Sequence, residues 1–456
     1  MFGKCEIKVR GGFEETLKVV LPLALMQLVY AANSIWDRFL LSQRGCAPLQ
    51  ASLSATMVSV MFVCLISATV GYTSVYVAQL HGAGKGRDAV RAFAQGVWLS
   101  IFSIPVLVAL VFAAFALVDF AAHAPDVAAG EKAYSAIYVP GGFFMILNGV
   151  LGGLLTGQGR TGWVSACGIV GVLVNIAVNP VFIGGCGTIP AMGNAGAAIA
   201  GVISLASVTV LQGAAVCRDA LVRAHWRDGA LKADLPLMGK ILRTGSFNGV
   251  TSFAACVAFT VFTLVLGRYD ALGAGSANVV FAVNNVFYCT MCAVSDGMSI
   301  VGGRNHGADD AAAVRRTVRT GLFLCIVILT AVYSVLLPFA GPIASLFYPT
   351  DAAFSMDAWC ASVRTLFFIM LLREIGEGVG LVFEGALRGV GDVKFVMCAK
   401  LGCDICLWMP AVIAIAMCHK SLIALWWTMP AFFAVLATIL ALRFHGGAWC
   451  RSHLSA

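Results

Sequence analysis

The chain has 456 residues, of which 60% are hydrophobic and 11% are charged, and its mean hydropathy is +0.90. This balance excludes a soluble globular protein and is typical of a helical membrane protein with many spans. The formal net charge of +8 comes from basic residues in short loops between apolar runs, so it does not indicate a nucleic-acid partner.

The apolar runs predict an all-α polytopic membrane protein with twelve transmembrane helices. The N-terminal stretch MFGKCEIKVRGGFEETLK lacks the short apolar core and cleavage site of a signal peptide, so we expect the first span to stay uncleaved. An even number of spans places both termini on one side of the membrane. The predicted spans are roughly 17–43, 51–79, 91–119, 133–156, 162–184, 194–216, 241–266, 274–302, 316–341, 359–387, 393–417 and 420–444.

The loops alternate in their content of lysine and arginine. Basic residues crowd the N-terminus and the loops after spans 2, 6 and 8, whereas the opposite loops hold scattered single charges such as Lys132 and Lys420. Cytoplasmic loops of membrane proteins are rich in Lys and Arg. Both termini are therefore predicted to be cytoplasmic, in a multi-pass protein of the cytoplasmic (inner) membrane.

The sequence contains an internal duplication. SVYVAQLHGAG at 74–84 resembles SIVGGRNHGAD at 299–309, and GLLTGQGR at 153–160 resembles GALRGVGD at 385–392. The two members of each pair have the same position within their sets of six spans, which indicates a parallel repeat of a kind found in transporters. We expect an N-terminal six-helix lobe over 1–217, a cytoplasmic linker over 218–240 and a C-terminal six-helix lobe over 241–456.

The span near 359–387 carries charges that a lipid-facing helix would not hold. With Arg373 at zero and 100° per residue, Glu377 falls at about 40°, Glu384 at about 20° and Arg388 at about 60°, with Glu374 beside this face. Each charge in hydrocarbon costs at least ~2.5–3.5 kcal/mol. The face is therefore predicted to look into protein or water, and Arg373 can pair with Glu377 at i, i+4.

Several stretches, in their order and spacing, resemble the multidrug and toxic compound extrusion (MATE) family over almost the whole chain. In the first half they are LPLALMQLVYAANSIWDRFLLS, YVAQLHGAGKGRDAVR, LLTGQGRTG, VNIAVNPVFIGG and MGNAGAAIAGVIS, and in the second half FTVFTLVLGR and GALRGVGD. The resemblance implies twelve helices in two six-helix lobes around a central cleft. It also implies a secondary antiporter that exports organic, often cationic, compounds against Na⁺ or H⁺.

The resemblance places ion coupling in the N-terminal lobe at Asp37, where family members have an aspartate. The structural alternative is an ion pair with the adjacent Arg38, which would allow both charges to be buried. Asn33, Asn175 and Asn179 would add neutral oxygens. Many relatives carry Asp where Asn179 stands; an asparagine can ligate Na⁺ but cannot carry a proton, so a two-acid proton relay is weakened here.

In the C-terminal lobe, Glu377 aligns with a family aspartate and is the leading carboxylate for coupling or substrate binding. Some relatives have a glutamate where this chain has Ala255. The structural alternative for the acids of this lobe is a network with Arg373. The remaining candidates are the mid-span charged residues Glu374, Asp296, Asp404 and Arg373.

No motif indicates an enzyme or a cofactor. The pairs Cys289–Cys292 and Cys403–Cys406 could in principle hold a metal, but cysteine is common throughout these apolar runs and suits a small buried hydrophobe. His81 and His306 match across the repeat and are interpreted as a structural loop signature. HExxH, P-loop and GxSxG motifs are absent, so an ion gradient or the substrate's own gradient is expected to supply the energy.

The leading interpretation is a monomeric antiporter that exports organic cations by alternating access, with a small organic substrate and the bilayer as its partners. One alternative is a flippase for lipid-linked sugars or other lipids from the same superfamily. The alternative from another class is a membrane-embedded enzyme or sensor.

Overall fold

A computed structural model describes residues 10–42, 46–121, 125–187, 190–225, 228–266, 271–348, 354–418 and 421–451, and confirms the all-α fold. The helices are α1 (Phe13–Ser42), α2 (Cys46–Gly71), α3 (Thr73–Gly82), α4 (Gly86–Ala121), α5 (Pro125–Gly157), α6 (Thr161–Gly184), α7 (Asn194–Cys217), α8 (Ala220–His225), α9 (Leu235–Leu266), α10 (Ala271–Gly307), α11 (Ala311–Leu346), α12 (Met356–Gly389), α13 (Val393–Cys403), α14 (Met409–Met417) and α15 (Leu422–His445). A π-helical turn, Asp404–Trp408, joins α13 to α14.

Two of the predicted spans are divided in the structure. The second span becomes α2 and α3, which meet at Gly71 and Tyr72, and the eleventh becomes α13, the π-helical turn and α14. Within the described residues, eleven segments are long and apolar enough to cross a bilayer. The predicted tenth span is the 34-residue helix α12, whose charges keep it out of that set.

The ends of several helices are fixed by side-chain caps. Asp310, Ser355 and Ser421 precede α11, α12 and α15, and each accepts a hydrogen bond from a backbone N–H in the first turn. Such caps satisfy a donor that the helix itself leaves unpaired. The caps therefore fix where these three helices begin.

The described residues form two compact units, one of which comprises those within Leu21–Phe253 and Gly303–Asp309. Within it the two copies of the duplicated HGA motif pack on each other. A Cβ on Gly82 would lie 2.0 Å from the carbonyl oxygen of Arg304, and a Cβ on Gly307 would lie 2.0 Å from that of Gln79. This reciprocal contact requires glycine at both positions and supports the structural interpretation of the neighbouring His81 and His306.

A polar clasp joins the segment before α9 to α4 in the same unit. Gln95 donates to the carbonyl oxygen of Lys232 over 3.0 Å and accepts from the N–H of Asp234 over 2.8 Å. The guanidinium of Arg91 hydrogen-bonds to the carboxylate of Asp234. That bond, with one from the N–H of Leu237, lowers the pKa of Asp234.

The other unit comprises the described residues within Met1–Val20, Ala254–Gly302 and Asp310–His453. Its core is formed by buried apolar side chains of α9 to α15, including Phe262, Phe287, Phe367 and Trp426. Helix α12 approaches α10 closely, because a Cβ on Gly385 would lie 2.1 Å from the carbonyl oxygen of Ser295. The predicted lobe and linker boundaries at 217 and 241 stay a prediction.

Candidate functional site

The first candidate site surrounds Asp37 on α1. Asn179 Nδ2, on α6, donates to Asp37 Oδ1 over 2.5 Å and to Asn175 Oδ1 over 2.6 Å. Asn33 lies one turn before Asp37, and its Nδ2 is 3.4 Å from Asp37 Oδ2. The structure therefore brings together the four residues predicted for this lobe, which we call the Asp37 group.

Two amide oxygens of the Asp37 group are buried and have no hydrogen-bond partner. They are Oδ1 of Asn33 and Oδ1 of Asn179. Asn179 directs its NH₂ group to two oxygen acceptors, so its own oxygen is left unsatisfied. Carboxylate and amide oxygens are ligands of hard cations. The group can therefore offer oxygen ligands to a cation.

Two tyrosines of α5 lie near this group. Tyr134 and Tyr138 stack with ring centroids 5.2 Å apart, and both interact electrostatically with Asp37. Sequence analysis did not single them out, because tyrosine is compatible with an apolar span and their stacking has no specific sequence signal. The alternative pair of Asp37 with Arg38 falls on a side chain outside the described part of the structure.

The second candidate site surrounds Arg373 on α12. The guanidinium contacts the carboxylate of Glu374, and Nη1 lies 2.9 Å from Glu377 Oε2. Its Cζ is 4.8 Å from the centroid of the Phe433 ring on α15. Glu374 is fully buried, and Arg373 and Glu377 are 8% and 6% exposed, so the predicted inward orientation of this face is confirmed.

We call Arg373, Glu374, Glu377 and Phe433 the Arg373 cluster, and its polar atoms are incompletely satisfied. Nε of Arg373 and Oε2 of both glutamates are buried without a hydrogen-bond partner. Glu377 Oε2 is at ion-pair distance from Arg373, but the two groups are not aligned as a hydrogen bond. Asn284 on α10 interacts with Glu374, and its own Oδ1 is also buried without a hydrogen-bond partner. When ionised, the cluster has two negative charges and one positive charge.

A second charged network begins at Glu384, two helical turns after Glu377 on α12. Lys400 on α13 donates to Glu384 Oε2 over 3.1 Å, and Arg388 Nε lies 3.9 Å from Glu384 Oε1. Arg388 Nη2 lies 3.6 Å from Asp296 Oδ1 and donates to Ser295 Oγ over 2.9 Å. The structure thus pairs Asp296 with Arg388, whereas the alternative from sequence placed it in a network with Arg373.

Asp404 occupies a distinct backbone feature. It is the first residue of the π-helical turn, is buried, and interacts electrostatically with Lys400 and Glu384. π-Helical turns inside α-helices occur frequently at functional sites. Because it interacts with Lys400 and Glu384, Asp404 belongs with the Glu384 network rather than with the Arg373 cluster.

Sequence analysis missed Lys400 and Phe433. Lys400 had a recognisable signal, since it is a lysine about two turns inside a predicted span and lies one turn before Asp404. Phe433 had none, because its position over Arg373 depends on how α15 packs against α12. Gly376 allows that packing: a Cβ there would lie 3.0 Å from the backbone nitrogen of Ala434.

The structure supplies no metal centre to the CxxC pairs. Cys289, Cys292, Cys403 and Cys406 are free thiols. Among the described residues, no group of three or more His, Cys, Asp or Glu side chains is placed to hold a metal ion. Cys403 is buried, Cys289 and Cys292 are half-buried, and Cys406 is exposed.

The MatE family model matches residues 22–181 and 249–412 of the chain. The multidrug resistance protein NorM of Burkholderia vietnamiensis is 27% identical over 450 residues, which cover 94% of this chain and 93% of that protein. The probable multidrug resistance protein NorM of Deinococcus radiodurans is 25% identical over 389 residues, covering 84% of each chain.

Solved structures share the fold at low sequence identity. A MOP superfamily transporter from Pyrococcus furiosus superposes with a TM-score of 0.85 at 17% identity, covering 95% of both chains. An outward-facing multidrug resistance MATE family transporter gives a TM-score of 0.84 at 16% identity, covering 95% of this chain and 96% of that one. The chain therefore shares its fold with these solved structures.

Proposed function

This chain belongs to the MatE family, and we propose that it is a secondary antiporter that exports organic cations in exchange for Na⁺ or H⁺. Members of the family are transporters and not enzymes, and the chain is a multi-pass membrane protein related to multidrug resistance proteins. The coupling ion, the charge of the substrate and a monomeric state are parts of our proposal.

The observation that carries the proposal is the Asp37 group. One carboxylate and the unsatisfied oxygens of Asn33 and Asn179 lie together within membrane helices α1 and α6. An intramembrane acid costs free energy unless it is paired or used, so such residues mark ion pathways. Asp37 can change its partner between a proton, a metal cation and the amide of Asn179, while the asparagines supply oxygens but take up no proton.

The Arg373 cluster supports an exchange of cations in the other unit. Its two carboxylates outnumber the guanidinium, so the ionised cluster attracts a further proton or cation. We propose that Glu377 exchanges Arg373 for the coupling ion or a cationic substrate during the transport cycle. Conversion between inward- and outward-open states would then carry each cation across by alternating access.

Reconstitution into liposomes tests the function directly. Purified protein should move ethidium, a fluorescent organic cation, when a Na⁺ or pH gradient of the correct sign is imposed, and should not do so without a gradient. Flux of a fluorescent lipid without ion dependence would instead support a flippase, and chemical turnover without flux would support an enzyme.

Cysteine labelling tests the proposed orientation in the cytoplasmic membrane. A reagent that cannot cross the membrane should reach a cysteine placed at Lys132 from outside, but not one placed at Arg223. Lys132 lies near the start of α5 and Arg223 lies in α8, and the sequence predicts opposite sides of the membrane for these two regions. The reverse pattern would place the termini outside.

A further inference from the structure

The Arg373 guanidinium lies in surroundings that would bind a free organic cation. Carboxylate oxygens of Glu374 and Glu377 contact its Nη1, and the ring of Phe433 lies 4.8 Å from its Cζ. Met370 Sδ, one turn earlier on α12, is 3.5 Å from the same nitrogen. Carboxylates and an aromatic face are the groups by which proteins recognise planar cations.

The arginine does not saturate these surroundings. Its Nε is buried without a hydrogen-bond partner, as are Oε2 of Glu374, Oε2 of Glu377 and Oδ1 of Asn284. Buried polar groups without partners are costly. A free cation with more N–H donors, or with freedom to adjust its position, can satisfy oxygen atoms that the tethered guanidinium leaves unpaired.

The cluster is also built so that its arginine can be replaced. The carboxylates and Arg373 come from α12, whereas Phe433 comes from α15, and Gly376 permits the close approach of these helices. Removing the flexible arginine side chain therefore leaves the aromatic face and both acids in place. A replacement cation would spare the cost of leaving two buried carboxylates without a counter-ion.

We propose that the Arg373 side chain occupies a binding site for planar, charge-delocalised cations of the guanidinium and amidinium class, and that it competes with them for this site. Such a substrate displaces the Arg373 side chain, contacts Glu374 and Glu377 at its edge and stacks on Phe433. When the substrate leaves, Arg373 returns and neutralises the acids. This inference rests on the proposed export function and names its substrate class, but its binding site is testable without transport.

Chemical rescue tests the site in the purified full chain. Arg373→Ala removes the resident cation, and Arg364→Ala is the matched control because Arg364 is an exposed arginine of the same helix. Millimolar guanidinium chloride should raise the Tm of Arg373→Ala, with an apparent Kd at least tenfold lower than for Arg364→Ala or the unaltered protein. Urea, which is planar but uncharged, should not raise it.

Two further variants keep the test decisive. Phe433→Leu in the Arg373→Ala background should weaken guanidinium binding at least threefold, because the aromatic face is lost. If Arg373→Ala is recovered from membranes only in the presence of guanidinium, that recovery supports the site. If it is not recovered at all, the same comparison is made with Arg373→Lys. Guanidinium should displace the compact lysine ammonium from the site. Equal Tm responses of the Arg373 and Arg364 variants would overturn the proposal.

A transport experiment distinguishes this inference from the proposed function. Methylguanidinium should inhibit ethidium flux by the unaltered protein at a concentration at least tenfold lower than tetramethylammonium, which is a cation of non-planar shape. Selective binding without any ion-dependent flux would uphold the site and refute the antiporter. Ion-dependent flux with no preference between the two cations would uphold the antiporter and refute the site.

Discussion

The Asp37 group and the Arg373 cluster stabilise carboxylates within membrane helices in different ways. Each places carboxylate in membrane helices, where an unpaired charge is expensive. Asp37 is held by the side-chain amide of Asn179, a neutral donor. Glu374 and Glu377 are held by a guanidinium, which is itself a cation. The unsatisfied oxygens of Asn33 and Asn179 can therefore bind an incoming cation, whereas the Arg373 cluster must first exchange one cation for another.

This difference separates the two roles that an antiporter needs. The neutral amides of Asn33 and Asn179 add unsatisfied oxygens beside Asp37, which a small cation such as Na⁺ can bind. A resident guanidinium selects for a competitor that resembles it in shape and charge. Changes to the two regions should therefore differ in kind, affecting stability most at Arg373 and ion coupling most at Asp37.

The largest expected effect is on stability at Arg373. Arg373→Ala leaves Glu374 and Glu377 buried without their counter-ion, and breaking a buried ion pair costs ~3–5 kcal/mol. Arg364→Ala on the exposed face of the same helix should stay within ~0.5 kcal/mol of the unaltered protein. Thermal unfolding in detergent, with no added cation, measures both.

The contacts also determine how that stability can be restored. Replacing Arg373 and Glu377 by methionine would still leave the fully buried Glu374 without a cation. The matched variant is therefore Arg373→Met with Glu374→Gln and Glu377→Met, which should regain most of the lost stability. If it also transports like the unaltered protein, the cluster only holds α12 in place.

Asp37→Asn should have the next largest effect, on efflux rather than on folding. The new amide can still accept from Asn179, so a folded and inserted protein is expected. The substitution removes the negative charge that an incoming ion would contact. Interactions with a charged group contribute ~1.5–3 kcal/mol, so we expect the ion affinity to fall about tenfold or more. Ethidium accumulation in intact cells should therefore rise toward that of cells without the protein. Unaltered accumulation at equal expression would reduce Asp37 to a structural role.

A smaller loss of stability is expected when a side chain at Gly376 prevents the close packing of α15 on α12. Gly376→Ala would place Cβ 3.0 Å from backbone atoms of Phe433 and Ala434, which cannot move as a side chain does. Overpacking of this kind costs ~1–3 kcal/mol. Gly402→Ala, with nothing within 4 Å of the new Cβ, is the control and should be neutral or stabilising. Equal Tm values for both variants would show that the close approach at Gly376 is not needed.

The smallest effect is expected at the exposed pair of Arg91 and Asp234. Exposed ion pairs contribute ~0–1 kcal/mol. The pKa of Asp234 is lowered in the fold, chiefly by the hydrogen bond from Arg91, so this contribution is present above the ordinary aspartate pKa of about 3.9. This stabilising contribution is lost as the pH falls from about 3.9 through the lower pKa that Asp234 has in the folded protein. The stability difference between the unaltered protein and Arg91→Ala should thus be present at pH 6 and vanish in acid; a difference that grows in acid would contradict this assignment.

The sequence predicted the helices and the charged face of α12 because both depend on local periodicity. Spacing along one helix places Arg373 and Glu377 together, and the structure has them 2.9 Å apart. The division of the eleventh span at Asp404 was not predicted, since a π-helical turn has no strong compositional signal. Helix length and helix face are local properties, so they can be derived from one sequence.

Contacts between helices were predictable only where the family resemblance supplied them. Asp37 and Asn179 are 142 positions apart, and the resemblance rather than periodicity brought them into one site. Pairing of Lys400 with Glu384 and of Arg388 with Asp296 depends on the rotation and packing of α10, α12 and α13. The same is true of Phe433, whose role follows from tertiary packing alone.

The most direct test of the account measures ethidium flux in proteoliposomes with the Na⁺ and pH gradients imposed separately. The unaltered protein should respond to at least one gradient, Asp37→Asn should lose that response, and Glu377→Gln should abolish coupling while remaining folded. We expect both variants to lose coupling, with an unchanged Tm in Asp37→Asn. If both variants respond to the gradients like the unaltered protein, neither carboxylate couples the ion, and the account is wrong.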